Sequence, residues 1–218
     1  MSRNTPDPIS TVLEEAEQSP LAPGAVRVLL AEGNARFAGG NLTRRDHGAQ
    51  LPHALKGQSP MAIVLGCVDS RVPVEMVFDC GIGDLFVARV AGNIVNADML
   101  GSMEYACRVA GSKLIVVLGH QHCGAVKSAV DEVEFGNVTE LLAKIAPAVN
   151  ASETDGERSS DNADFVANVA AANVRHAVER IRNESPILAA MEAGGEIGIV
   201  GAVYSLDTGL VAFVDEIA

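Results

Sequence analysis

Met61-Ala62-Ile63-Val64-Leu65-Gly66-Cys67-Val68-Asp69-Ser70-Arg71 is the stretch on which the fold turns. Its first five residues form an apolar run too short for a comfortable helix and rich in strand formers, so they read as a buried strand. That strand delivers Cys67 to its C-terminal end, where open α/β sheets put their chemistry. A second run, Leu114-Ile115-Val116-Val117-Leu118, leads into Gly119-His120-Gln121-His122-Cys123-Gly124. If the two strands are parallel neighbours, both leave the sheet at one edge, and Cys67, His120 and Cys123 converge.

Two soft thiolates and an imidazole suit zinc. Spacing alone does not make cysteines ligands, since cysteines at strand ends are often plain core residues. The constellation is stronger than its parts, because Asp69 and Arg71 follow Cys67 in a loop that cannot bury charges unpaired. Three protein ligands leave a tetrahedral ion one position short, whereas structural zinc sites fill all four. An open position means water, hence catalysis.

The chain of 218 residues is expected to form one domain burying roughly 70% of its unfolded surface. Within it, residues 1–40 read as an N-terminal helical arm and 41–218 as the catalytic core. Sixteen Lys plus Arg against 28 Asp plus Glu give a net charge of -12 with no basic cluster, which argues against nucleic acid and anionic membranes as partners. The first eight residues hold no apolar core of signal-peptide length, and no later run approaches the ~20 apolar residues of a membrane span. The expected location is the cytoplasm. Four cysteines in a chain this long do not resemble a disulfide framework, and Cys80 and Cys107, in apolar surroundings, read as buried reduced thiols.

In chain order, Ile9, Val12, Leu13 and Ala16 suggest a short helix ended by Pro20 and Pro23. A second amphipathic helix shows Val26, Leu29, Leu30, Gly33 and Phe37 on one face and closes at Gly39-Gly40. These helices pack either on their own core or on a neighbouring subunit. Residues 41–60 read as loop, with His47 and His53 as solvated side chains. A short helix over Pro73–Phe78, a strand over Leu85–Val90 and a helix over Ala97–Ala110 follow. Next come a helix from Ala125 to Val133, starting right after Cys123, and another from Val138 to Val149. Residues 152–161 read as a mobile polar surface segment, Phe165–Ile181 as a long helix, and Ile197–Tyr204 with Leu210–Val214 as a C-terminal β-hairpin. The fold class is therefore α/β: a mainly parallel central sheet flanked by helices, with that hairpin and the N-terminal helical arm.

Cys67-x-Asp69-Ser70-Arg71 together with Gly119-His120-x-x-Cys123-Gly124 resembles the β-class carbonic anhydrases, over most of the chain from about Gly24 to Val214. The resemblance implies one zinc ion per chain, held by Cys67, His120 and Cys123, and reversible hydration of carbon dioxide to bicarbonate and a proton. It also implies a homodimer or a tetramer of dimers with active sites at subunit interfaces. Asp69 and Arg71 match the family's catalytic dyad: Asp69 accepts a hydrogen bond from the attacking group, and Arg71 holds the carboxylate. If Arg71 lets go, Asp69 can become a fourth zinc ligand in a closed state. Gln58 matches a substrate-binding glutamine, Phe86 and Tyr105 the aromatic pocket contributed by a second subunit, and Gly124 a backbone donor facing the substrate. Read without the family, Phe86 and Tyr105 are ordinary core residues.

Arg89 and Tyr204 match two residues of a second, regulatory bicarbonate site known in some bacterial members. The third, a tryptophan, is absent: Val64 stands in its place and the chain has no Trp. With Gln58, Phe86 and Tyr105 in place, the resemblance is to the plant-type active site, and an open, water-bound zinc near neutral pH is expected. His122 beside the site is a weak candidate for a proton shuttle. Two other functions stay open: hydrolysis of carbonyl sulfide or carbon disulfide by the same zinc chemistry, and a zinc-stabilised oligomer without catalysis.

Overall fold

In the computed structural model, which describes residues 7–214, the two apolar runs are adjacent parallel strands. The strands are β1 (Ala62–Gly66), β2 (Leu85–Arg89), β3 (Leu114–His120), β4 (Gly198–Tyr204) and β5 (Val211–Phe213). They form one sheet in the order β2-β1-β3-β4-β5, parallel throughout except for the antiparallel β4–β5 hairpin. Every residue of β1 and β3 is buried, as expected of parallel strands covered on both faces. Gly66 pairs with Leu118, so both strands carry their next residues out of the same sheet edge.

The helices are α1 (Glu15–Gln18), α2 (Pro23–Ala38), α3 (His47–Ala54), α4 (Val74–Val77), α5 (Ala97–Glu104), α6 (Gly124–Val130), α7 (Gly136–Leu142), α8 (Ala146–Ala151), α9 (Ala163–Glu184) and α10 (Pro186–Ala193). The pleat sends Ile63, Leu65, Ile115 and Val117 to one face, against Val174, Ala177 and Ile181 of α9 and Leu188 of α10. Ala62, Val64, Val116 and Leu118 face the other way, against Val26 and Leu30 of α2 and Val74 and Val77 of α4. Thus α2 covers its own sheet, which decides between the two packings left open for it. Full burial of Leu30 contributes roughly 1.5–3 kcal/mol.

Several local expectations are corrected. Ile9 is not helical: it makes an isolated bridge to Arg45, accepting from Asp46 and donating to Arg44, and only Glu15–Gln18 coil. Residues 1–6 of the expected arm lie outside the described residues. The 41–60 stretch contains α3, capped by Asp46 accepting from the Ala49 N–H, a signal that Pro52 and the surrounding glycines obscured. Leu29 is exposed, and Asn34 joins Val26, Leu30 and Gly33 in the buried stripe of α2.

The Val138–Val149 helix is broken into α7 and α8, with Pro147 in the first turn of α8 and Ile145 driven into the core at the break. The polar segment after it is tied down: Arg158 donates to the carbonyls of Ser152 and Val149 and lies 4.7 Å over the Phe165 ring. The α10 helix was not expected, although Ser185-Pro186 is a capping signature and Ser185 accepts from the Leu188 N–H. All four cysteines are free. Burial pushes the thiols of Cys80 and Cys107 up to about 12, which leaves both inert. Among the described residues no helix is long and apolar enough to cross a membrane.

Candidate metal centre

The site is built where β1 and β3 end. Cys67 follows the last residue of β1, His120 closes β3, and Cys123 caps α6. One ligand atom from each of these buried residues lies within 4.8 Å of the others. The two sulfurs are 3.9 Å apart, far beyond the ~2.05 Å of a disulfide.

His120 is fully buried, and its Nδ1 lies 2.8 Å from the Gln121 carbonyl oxygen. A carbonyl can only accept, so Nδ1 carries the proton and Nε2 offers its lone pair. That buried Nε2 has no hydrogen-bond partner among the described residues. An orphaned imidazole nitrogen facing two thiols fits a soft divalent cation, because a metal bond would satisfy a group that burial otherwise penalises.

The two sulfurs share a hydrogen bond that favours a thiolate on Cys67 and lowers its pKa against the cost of its burial, and the Gly92 N–H adds to the effect. Cys123 is pushed up by that shared proton and by burial. A cation would displace the remaining proton. Gly92 donates to Cys67 Sγ at 3.3 Å from a left-handed backbone at φ 68°. Any side chain there would collide with Ile145, since a Cβ would lie 2.5 Å from its Cδ1.

Beside the donors, Asp69 is clamped by Arg71. Asp69 Oδ1 accepts from the Arg71 backbone N–H at 2.9 Å and from Nε at 3.0 Å, and Oδ2 accepts from Nη2 at 2.7 Å. The guanidinium holds the carboxyl at about 2. Asp69 Oδ2 nevertheless stands 3.8 Å from His120 Nε2, at the edge of the donor triad. Arg71 also donates to the His122 carbonyl, while the rest of His122 is exposed at a left-handed φ of 54°.

The structure thus brings together Cys67, His120, Cys123, Asp69 and Arg71, with Gly124 adjoining Cys123 as the first residue of α6. Gln58, Phe86 and Tyr105 are not among them. Gln58 is exposed at the opposite, N-terminal side of β1, in a cleft of ≈ 320 Å³ shared with His53 and Leu13. Phe86 pairs with Ile63, three residues short of the metal end, and meets Tyr105 edge-on at 6.3 Å. Both line a groove of ≈ 690 Å³ on the β2 edge, where Tyr105 is 52% exposed.

Two residues acquire a place here that the sequence did not suggest. Arg89 donates to the carbonyls of Cys67 and Asp69, at 2.8 and 2.5 Å, and so grips the loop that carries both. Gly92 supplies the donor to sulfur; no signal in the sequence singled it out. Tyr204 is buried opposite His120, its carbonyl accepting from the Gln121 N–H.

Comparison with known proteins shows the family to which this chain belongs. The family model described as carbonic anhydrase matches residues 62–211. Carbonic anhydrase 2 of Mycobacterium tuberculosis (strain ATCC 25618 / H37Rv) is 37% identical over 204 residues, covering 89% of this chain and 94% of its own. A carbonic anhydrase of Mycolicibacterium smegmatis is 38% identical over 195 residues, covering 87% of this chain and 92% of its own. The solved structure of the β-carbonic anhydrase CcaA superposes with a TM-score of 0.70 at 26% identity, over 87% of this chain and 88% of that one. The chain belongs to the carbonic anhydrase family of enzymes, and within it to the β class.

Proposed function

We propose that this enzyme catalyses the reversible hydration of carbon dioxide to bicarbonate and a proton, with one zinc ion per chain held by Cys67, His120 and Cys123. The observation that supports it most is the orphaned His120 Nε2 facing two thiols, with a free edge of Asp69 3.8 Å away. When bound, zinc supplies a water acidified toward about 7 and a Lewis acid for the developing anion, a figure for which three-histidine carbonic anhydrases are the standard example.

Asp69, ionised at every working pH, only accepts, so it orients the attacking oxygen by taking its hydrogen bond. Arg71 fixes the plane of that carboxylate through two parallel bonds and keeps it from swinging onto the metal. We assign Gly124 the backbone donor facing the substrate. Gln58, Phe86 and Tyr105, remote within one chain, are assigned to the site of a second copy, in a homodimer or a tetramer of dimers. The exposed aromatic groove on the sheet edge supports that assembly. Residues 1–218 are taken to act as one domain. Four free cysteines are in keeping with a reducing, cytoplasmic setting.

Stopped-flow hydration with a pH indicator, on protein of measured metal content, tests the proposal. Turnover that tracks zinc supports it. Zinc-loaded protein that turns over only carbonyl sulfide or carbon disulfide, or nothing, would replace it with one of the two other readings.

A further inference from the structure

We infer that Asn173 is a positioning residue for the metal centre: from α9 it fixes Gly92 so that the Gly92 N–H stays aimed at the sulfur of Cys67. The inference rests on Cys67 being a metal ligand. Asn173 sits in the apolar stripe of α9, between Val169, Ala170, Val174 and Ala177, and is only 2% exposed. An amide in that place costs free energy unless it is bonded, and packing alone would favour an aliphatic side chain. Its Nδ2 donates to the Gly92 carbonyl oxygen at 2.8 Å in a buried bond that spans 81 residues of sequence.

The geometry of Gly92 gives that bond its consequence. Gly92 lies in a 3-10 turn over Ala91–Asn93 with φ 68° and ψ 19°; its N–H and C=O lie in the two peptide planes that meet at its Cα, and the turn sets the angle between them. Holding the carbonyl therefore holds the direction of the N–H, which meets Cys67 Sγ at 3.3 Å. Arg89 restrains Cys67 through its backbone carbonyl, whereas the Asn173–Gly92 arm reaches the sulfur itself. Outer groups of this kind orient a ligand and tune its donor strength.

The test uses the full chain with defined metals. Asn173→Leu keeps the branched outline, with the same number of side-chain heavy atoms, and removes the donor. Its zinc affinity, measured by competition with a chromophoric chelator, should fall on the order of tenfold or more, and the thiolate-to-cobalt band of the Co2+ form should shift. Val178→Ala, further along the same stripe, serves as the control: it should lower thermal stability while leaving affinity and band unchanged. Wild-type affinity and band in Asn173→Leu, or changes no larger than those of Val178→Ala, would overturn the inference. If Asn173→Leu does not fold, the 113Cd-loaded wild type is compared with the smaller Asn173→Ala: a scalar coupling between cadmium and the Gly92 amide proton is expected in the wild type and weakened or lost in the variant, and its absence from the wild type, or an equal coupling in the two, overturns the inference. A wild-type chain that holds none of these metals would instead remove Cys67 as a ligand, and the inference with it.

Discussion

Two aspartates ten residues apart, Asp69 and Asp79, are both held by arginine and both brought to about 2, yet they occupy opposite kinds of place. Asp79 is saturated. Burial works against its charge, but Thr43, Arg36 and Arg45 outweigh it: Oδ2 accepts from Thr43 Oγ1 and Arg36 Nε, each at 2.6 Å, and Oδ1 from Arg45 Nη1 at 2.7 Å. Its side chain is 1% exposed. It ties the end of α4 to α2 and to the strand-like segment around Arg45. Asp69 is held by one arginine that is itself 54% exposed, and keeps an edge facing the metal donors. A carboxylate whose lone pairs are all engaged is structural, whereas one with an approach left open and a partner that can let go is poised for chemistry.

The largest effect should come from emptying the functional region. Cys67→Ser or Cys123→Ser leaves two protein ligands, too few to hold zinc tightly, so metal analysis should show its loss and hydration should vanish. Full occupancy in both purified variants would sink the ligand assignment. Next, Asp69→Asn should keep zinc and thermal stability but lower kcat roughly 100- to 1,000-fold, since the amide cannot serve Arg71 and the attacking oxygen as the carboxylate does. Near wild-type turnover would make Asp69 as structural as Asp79, and the contrast would collapse.

The converse substitution, Asp79→Asn, should cost about 3 kcal/mol in urea unfolding, because Arg45 and Thr43 lose their anionic partner in a buried place. Folded Asp79→Asn should retain wild-type kcat; a specific loss of turnover would show that the two nodes are coupled. Acid titration should separate them further. The folded pKa of Asp79 lies below its ordinary value of 3.8, so its contribution to stability is present above that value and drains away as pH falls toward about 2. Acid unfolding monitored by circular dichroism should therefore shift less between pH 4 and 2 in Asp79→Asn than in the wild type.

The smallest and most discriminating effect concerns the pH–rate profile. Asp69 remains ionised and paired well below neutrality, so activity should rise with pH in a single-proton step. A steep, multi-proton profile with cooperative bicarbonate inhibition would mean that Asp69 does leave Arg71 for the metal, and that the absent tryptophan at Val64 was a poor guide.

Local sequence determined the centre of this protein. The runs Met61–Leu65 and Leu114–Leu118 supply the strands Ala62–Gly66 and Leu114–His120 because their composition and length allow little else, and the residues just beyond a parallel strand have one place to go. Hence Cys67, His120, Cys123, Asp69 and Arg71 were legible before any coordinates, as were the long helix α9 and the closing hairpin. What only the tertiary structure decided involves partners distant in the chain. The register that sets Gly66 against Leu118 places Cys67 beside Cys123; Arg89 reaches back 22 residues to the Cys67 carbonyl; Thr43 and Arg45 reach Asp79 across more than 30. Sequence patterning also misjudged short elements such as α3, α7 and α10, where one side-chain cap or one buried isoleucine outweighs periodicity. Nor could it show that Gln58 lies away from the donors of its own chain, a separation that the family resemblance implied only for Phe86 and Tyr105. Strand formation is written in neighbouring residues, but a hydrogen bond between segments exists only once packing has fixed where each segment lies.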